Sequence, residues 1–168
     1  MKNQTYLEKI SFCCIWLWIV GITACGITSA QKSETKGWDN VAAIISKIII
    51  PTFSERNYDI RDFGAIADGK TDCLPAIRNA IDSCNLQGGG RVVVPSGVFF
   101  VKGPIHLKSH INLVVSDGAT LRFSSEPDDY LPVVLTRWEG TECFNYSPFI
   151  YAFGVTEIAI TGKGTIDG

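Results

Sequence analysis

The sequence predicts a mainly β protein: a right-handed parallel β-helix whose first coils follow an N-terminal capping helix. Two observations carry this prediction. A unit of strand, glycine-containing turn and second strand recurs, and its first two copies lie 21 residues apart. An amphipathic helix directly precedes those copies. A spacing of that size is typical of a β-helix, in which each turn of the chain returns to stack on the previous one.

Composition places the chain among globular proteins. It has 168 residues, 46% of them hydrophobic, and its 17 acids against 15 bases give a net charge of -2. This length favours one compact domain, and the apolar fraction is sufficient for a buried core. The low, balanced charge argues against a disordered chain and against a nucleic-acid partner, which requires a clustered basic surface.

Residues 1–30 are predicted to be an export leader. Lys2 and Lys9 precede an apolar run over residues 10–25, as in a secretory signal. Two processing sites stay open: cleavage after Ala30, or a lipoprotein-like signal in which Cys25 is acylated. Either predicts an exported protein, which is periplasmic, secreted or an outer-membrane lipoprotein. A lipid anchor on Cys25 would be its one attachment to a membrane.

The cysteines predict neither a disulfide framework nor a metal site. Beyond the leader the chain has only Cys73, Cys84 and Cys143, without a CxxC pair, and both histidines lie apart from them. Cys73 and Cys84 bracket a predicted helix, in which a rise of 1.5 Å per residue separates them by about 16 Å. We therefore expect buried thiols, and no metal or cofactor.

Residues 31–57 are predicted to form a tether, an amphipathic helix and an extended link. The apolar side chains from Trp38 to Ile49 recur at helical spacing over about three turns. Pro51 ends this helix, because a proline disfavours helical geometry in the residue before it. A first strand follows over residues 58–63.

Residues 58–168 are predicted to be the β-helix itself. Asp68-Gly69 is a turn signal, and Thr71 or Asp72 can cap the helix over residues 73–86, which a run of three glycines ends. The repeated units then begin at Val92, Leu113 and Ile158. The alternation predicts these inward-facing side chains: Val92, Val94, Leu113, Val115, Ile158 and Ile160.

The distance between the second and third units indicates an insertion. It exceeds the first spacing by 24 residues, and the excess falls within residues 124–154, which are rich in proline and aromatic residues. A β-sandwich built from hairpins is the alternative fold. It does not explain why the same unit recurs in register.

Several segments together resemble one family. They are residues 62–72 (DFGAIADGKTD), 92–97 (VVVPSG), 136–142 (TRWEGTE), 146–151 (YSPFIY) and 160–168 (ITGKGTIDG). From about Trp38 to Gly168 the chain resembles glycoside hydrolase family 28, the polygalacturonases, in particular the bacterial exo-acting type. The resemblance implies a pectin-lyase-like single-stranded β-helix that hydrolyses α-1,4-galacturonosyl linkages of pectin with inversion. Its implied partner is galacturonan.

The resemblance also implies which catalytic groups to look for. Inverting hydrolysis needs an acid and a base, roughly 6.5–9.5 Å apart. The family supplies them from an N-T-D motif and a D-D pair, assisted by G-H-G and R-I-K motifs. The one adjacent acid pair in this sequence, Asp128-Asp129, is predicted to lie in a turn. His106 and His110 are predicted to be structural histidines. We therefore assign no catalytic residue, and expect an inactive N-terminal part of a longer enzyme.

Trp138 and Glu139 are the candidate sugar-binding residues. A tryptophan ring stacks on the apolar face of a pyranose, and binding residues concentrate in loops. The alternative is that Trp138 packs the insertion onto the flank of the β-helix. At the level of function two alternatives also stay open: a noncatalytic carbohydrate-binding or adhesin module, and a polysaccharide lyase, which needs calcium-binding acids and a basic residue as proton acceptor.

Overall fold

The computed structural model describes residues 37–168. The predicted leader, its candidate lipidation site Cys25, and the predicted tether up to residue 36 lie outside the described residues. The described chain belongs to two units, divided between Ile48 and Ile49. Within residues 37–168, no helix is both long enough and apolar enough to cross a membrane.

The first unit contains a helix shorter than the three turns predicted. A 3-10 turn over Gly37–Asn40 leads into helix α1, Val41–Ile45. Past Ser46 the backbone bonds close over three residues, with Ile48 N–H donating to the Ile45 carbonyl at 3.1 Å. Three consecutive β-branched isoleucines before Pro51 disfavour further helix, so the prediction overran the end of the helix.

The second unit is a parallel β-helix of four coils. Its long helix is α2, Leu74–Leu86. The strands are β1 Asn57–Asp59, β2 Asp68–Asp72, β3 Gly90–Val94, β4 Gly97–Val101, β5 Ile105–His106, β6 Ile111–Val115, β7 Ala119–Phe123, β8 Val134–Trp138, β9 Thr141–Asn145, β10 Ile150–Tyr151, β11 Ala159–Gly162 and β12 Thr165–Asp167.

Stacked coils produce three parallel ladders. The first has the order β1-β3-β6-β11, the second β2-β4-β7-β12, and the third pairs β5 with β10. Only β8 and β9 pair as an antiparallel hairpin among the described strands. Each ladder joins equivalent strands of successive coils, which confirms the predicted β-helix and excludes the hairpin sandwich.

For the first strand of each unit, the repeat register was right between the first two units and wrong for the third. Val92 lies opposite Leu113, as the 21-residue spacing predicts. Leu113 in turn lies opposite Ile160 and not Ile158, an error of two residues. A shift of two keeps the same side chains on the same face of a strand, so alternation alone cannot detect it. In the second strand of the unit the result is reversed: Leu121 lies opposite Ile166 as predicted, but opposite Phe99 and not the predicted Phe100, an error of one residue.

Inward-facing side chains fill the interior as predicted. Val92, Val94, Leu113 and Val115 are at most 3% exposed. Ile158 is partly buried and packs against this core. Ile160 is 48% exposed, because its strand is the last of the described ladder.

The predicted first strand divides into a strand and a turn. β1 ends at Asp59, and Ile60–Phe63 form a 3-10 helix. The Asp59 carboxylate accepts a hydrogen bond from the Arg61 N–H at 2.9 Å. An aspartate that bonds the backbone two residues ahead favours a turn over an extended chain, which explains the difference.

Helix α2 packs its apolar stripe onto the first coils. Leu74, Ile77 and Ile81 are at most 5% exposed. The N-cap position is Cys73, and Asp72, one residue earlier, supplies the capping hydrogen bond, as predicted. Its Oδ1 accepts the Leu74 N–H at 2.9 Å and also the Lys102 N–H at 2.9 Å. One carboxylate thus joins the start of the helix to the chain after β4.

The cysteines agree with the prediction of buried thiols. Cys73 and Cys84 are free and at most 1% exposed. Burial raises the pKa of the Cys84 thiol to about 11. Both side chains therefore act as small apolar groups of the core around α2.

Asp68 and Gly69 form the predicted turn at the start of β2. Gly69 has φ +67°, and the strand pairs with β4 only at Asp68 and Asp72. The Asp68 carboxylate accepts hydrogen bonds from the backbone of Lys70 and Thr71 at 2.8 Å each and from the Thr71 hydroxyl at 2.7 Å. These hydrogen bonds stabilise the charged carboxylate and lower the pKa of Asp68 to about 2, and the bonds from Thr71 contribute most.

We expect Asp68 to contribute acid sensitivity. Its pKa is lower in the folded state than the ordinary 3.8, so its stabilising effect is present above about pH 3.8 and is lost as pH falls towards 2. Carboxyl titration followed by NMR should give the low value in the native protein. Thr71→Ala should raise the pKa of Asp68, because it removes the hydroxyl donor. An unchanged pKa in that variant would contradict the assigned cause.

Candidate functional site

The hairpin β8–β9 is the distinctive part of the insertion. Its register places Trp138 opposite Thr141, so Glu139 and Gly140 alone form the loop. Both have positive φ, +47° and +86°. A two-residue hairpin loop with both central residues in this region is a type I′ turn, and glycine is favoured at its second position. The segment 136–142 is therefore the tip of a regular hairpin.

A groove lies between this hairpin and the chain around β10. Its volume is about 380 Å³. The hairpin contributes one wall and the segment around β10 the other. The lining residues are Leu135, Thr136, Arg137, Glu142, Pro148, Ile150, Tyr151, Ala152 and Phe153. A concave site with an apolar lining and few polar groups has the usual character of a small-ligand site.

Tyr151 joins the two walls of the groove. Its hydroxyl donates to the Leu135 carbonyl on β8 at 2.8 Å. Its ring lies nearly parallel to that of Phe153, at an interplanar angle of 5° and a centroid separation of 6.5 Å. Its ring centroid also lies 5.1 Å from that of the His106 ring, at an interplanar angle of 53°. The hairpin is thereby fixed to β10, and through His106 to the neighbouring coil.

Arg137 is the cationic side chain among the lining residues. Its Nη2 donates to Oε1 of Glu142 at 3.1 Å, across the hairpin. About two-thirds of each side chain is exposed, 66% and 69% respectively. Exposed ion pairs of this kind contribute little to stability. The guanidinium therefore remains available to a ligand in the groove.

The predicted sugar-binding residues lie beside the groove and not in its lining. Trp138 ends β8 with 66% of its surface exposed. Glu139 occupies the turn that follows it. The sequence prediction did not single out Arg137 and Tyr151, which line the groove. The two-residue Glu-Gly turn was a usable signal for Arg137, since it fixes Arg137 opposite Glu142.

The remaining polar candidates have structural contacts. Asp129 lies in the 3-10 turn Pro127–Tyr130, where its carboxylate accepts the Ser124 hydroxyl at 2.6 Å, as expected of a turn. His110 Nδ1 lies 2.7 Å from Oε2 of Glu157 on the next coil. Burial, with the nearby charge of Arg78, lowers the pKa of His106. Within residues 37–168, no group of three acidic, histidine or cysteine side chains could hold a metal ion.

Aromatic side chains make the insertion unusually apolar at its surface. A second hollow of about 440 Å³ meets the groove at Pro148 and contains the Tyr130, Tyr146 and Phe149 rings. Other rings project into solvent: Trp138, Phe144 and Phe153 are between 64% and 72% exposed. Soluble proteins rarely expose so many large apolar groups together except where they bind something.

Comparison with known proteins agrees with this fold and these segments. Residues 57–121 match a family model described as rhamnogalacturonase A/epimerase, pectate lyase-like. The crystal structure of a hyperthermoactive exopolygalacturonase from Thermotoga maritima superposes with a TM-score of 0.72 and 48% identity, over 76% of this chain and 28% of that one. Residues 57–121 therefore form a pectate lyase-like family domain. The resemblance of the chain to the family 28 polygalacturonases is confirmed.

Two curated relatives of this chain have names that describe different activities. The exo-poly-alpha-D-galacturonosidase of Dickeya chrysanthemi is 43% identical over 118 residues, 66% of this chain. The plasmin and fibronectin-binding protein A of Streptococcus pneumoniae is 30% identical over 142 residues, 84% of this chain. The chain spans 19% of the length of each.

Proposed function

We propose that the protein is an exported, pectin-degrading glycoside hydrolase of polygalacturonase type. It hydrolyses α-1,4-galacturonosyl linkages with inversion. The observation that supports this most strongly is the 48% identity to the Thermotoga maritima exopolygalacturonase, together with a TM-score of 0.72. Export is part of the same proposal and rests on the sequence of residues 1–30. The leader is then processed either by acylation of Cys25 or by cleavage after Ala30.

In this proposal the described coils supply sugar binding, and the catalytic acid and base come from elsewhere in the enzyme. The chain spans 28% of the exopolygalacturonase it superposes on, so most of such an enzyme lies outside it. The groove beside β8–β9 holds a sugar unit, with Tyr151 and Phe153 offering ring faces to its C–H groups. Trp138 and Glu139 extend that surface at the hairpin tip.

A second candidate is a noncatalytic β-helix binding module. It is favoured by the similarity to the streptococcal plasmin and fibronectin-binding protein, which extends over 84% of this chain. The exposed rings of the insertion suit a protein ligand as well as a sugar. The two candidates differ in whether galacturonan is cleaved.

The test compares two proteins on polygalacturonate: the product of the complete gene and the 168-residue chain alone. We expect reducing ends from the first, with the product anomer seen by NMR at early times inverted. We expect none from the second above a mock-purified control, because ring faces cannot replace an acid and a base. Hydrolysis by the short chain would place the catalytic pair within it. Absence of hydrolysis by the complete protein, with binding retained, would favour the noncatalytic module.

A further inference from the structure

We propose that Arg137 is a specificity-determining residue, which binds the carboxylate of an acidic sugar unit in the groove beside β8–β9. This rests on the proposed function, in that the groove must hold a sugar. Of the nine lining residues, Arg137 alone is cationic and Glu142 alone is anionic. The rest of the lining is mainly apolar, so a charged ligand interacts electrostatically with the groove only at the Arg137–Glu142 pair.

The ion pair with Glu142 shows that a carboxylate fits at this guanidinium. One contact is made, from Nη2 to Oε1 at 3.1 Å. A guanidinium has five N–H donors in a planar fork and can donate two of them to one carboxylate. Arg137 can therefore bind a second carboxylate beside Glu142, or exchange one for the other. Exchange is easy because both side chains are about two-thirds exposed.

The backbone holds Arg137 in a fixed place relative to the aromatic wall. Arg137 and Glu142 are opposite residues of the hairpin, one pair from the end of the ladder. The Tyr151 hydroxyl holds the carbonyl of Leu135, two residues before Arg137, at 2.8 Å. A sugar ring that rests on Tyr151 therefore meets the guanidinium from a set direction. This geometry selects an anionic pyranose over a neutral one.

Arg137→Gln tests the proposal in the protein expressed from the complete gene. The probes are galacturonate and galactose, which contain no linkage to cleave, titrated by NMR at matched ionic strength. We expect galacturonate to bind roughly 10- to 100-fold more weakly, because a charge-assisted contact is lost. Galactose binding should change less than about twofold. Galacturonate binding to the parent protein should weaken as salt rises, and this dependence should decrease in the variant.

Two further variants give the controls. Arg122→Gln removes an exposed arginine of β7, whose Nε lies 3.7 Å from Asp167, and should leave both titrations unchanged. Glu142→Gln should strengthen galacturonate binding, because it removes a competing and repelling carboxylate. An equal loss of both sugars in Arg137→Gln would show a structural role and overturn the proposal.

The outcomes also separate this proposal from the proposed function. If the unmodified protein binds both sugars equally and Arg137→Gln binds them as well, the role assigned to Arg137 is wrong and the hydrolase proposal is unaffected. If the unmodified complete protein binds neither monosaccharide but cleaves polygalacturonate, the groove is not the sugar site. The role of Arg137 is then wrong, and the hydrolase proposal survives. If the complete protein neither binds nor cleaves, both proposals fail.

Discussion

Replacement of Phe99 by alanine is expected to lower the free energy of unfolding by about 3–5 kcal/mol, as for other buried aromatic residues. Phe99 lies on β4, is 0% exposed and stands opposite Leu121 of the next coil. The cavity it leaves cannot close easily, because parallel ladders on neighbouring faces fix the spacing between coils. Each coil also packs on its neighbours, so the loss reaches beyond one strand.

Urea unfolding of the protein, with Phe144→Ala as the matched control, measures this effect. Phe144 is also a strand phenylalanine, but lies on the hairpin β8–β9 and is 72% exposed. Its replacement should change the unfolding free energy by less than about 0.5 kcal/mol, as for most surface positions. Equal effects of the two replacements would contradict the assignment of Phe99 to the buried core and of Phe144 to the surface.

The sequence was sufficient for the register of the first ladder between the second and third coils. Val92 and Leu113 follow one another without an insertion, so the spacing of the pattern equals the spacing of the coils. Past the insertion this equality is lost. A period of two leaves Ile158 and Ile160 equivalent, and the pairing of Ile160 with Leu113 depends on contacts that no local pattern contains.

The candidate site was predicted only in part, for a similar reason. A tryptophan next to a turn was recognisable from residue type, and Trp138 is indeed at the tip of a hairpin. The groove, in contrast, is formed by segments that meet only through the fold, as where the Tyr151 hydroxyl reaches the Leu135 carbonyl. Their separation in the sequence hides that contact. The position of Arg137 was more accessible from the sequence, because a two-residue turn at Glu139 and Gly140 fixes which residue lies opposite Arg137.

The corner between α2 and β3 is the basis of the second large effect. Gly88 and Gly89 have φ of +84° and +91°, a region that side chains rarely adopt. At Gly89 an added Cβ would also collide with the backbone carbonyl and the Cβ of His110, at the matching corner of the next coil. That carbonyl accepts the Gly90 N–H at 3.0 Å, so it cannot move without losing a bond between coils.

Gly89→Ala is therefore expected to destabilise the protein by about 3–5 kcal/mol, from backbone strain, forced displacement and the weakened bond together. Gly88→Ala is the matched control: its Cβ would meet only the flexible end of Arg56, at 3.6 Å, so strain alone should cost about 1–2 kcal/mol. Denaturant unfolding of the two variants gives the difference. Equal losses would mean that the neighbouring corners tolerate a side chain between them, and that their close approach does not set the stacking of the coils.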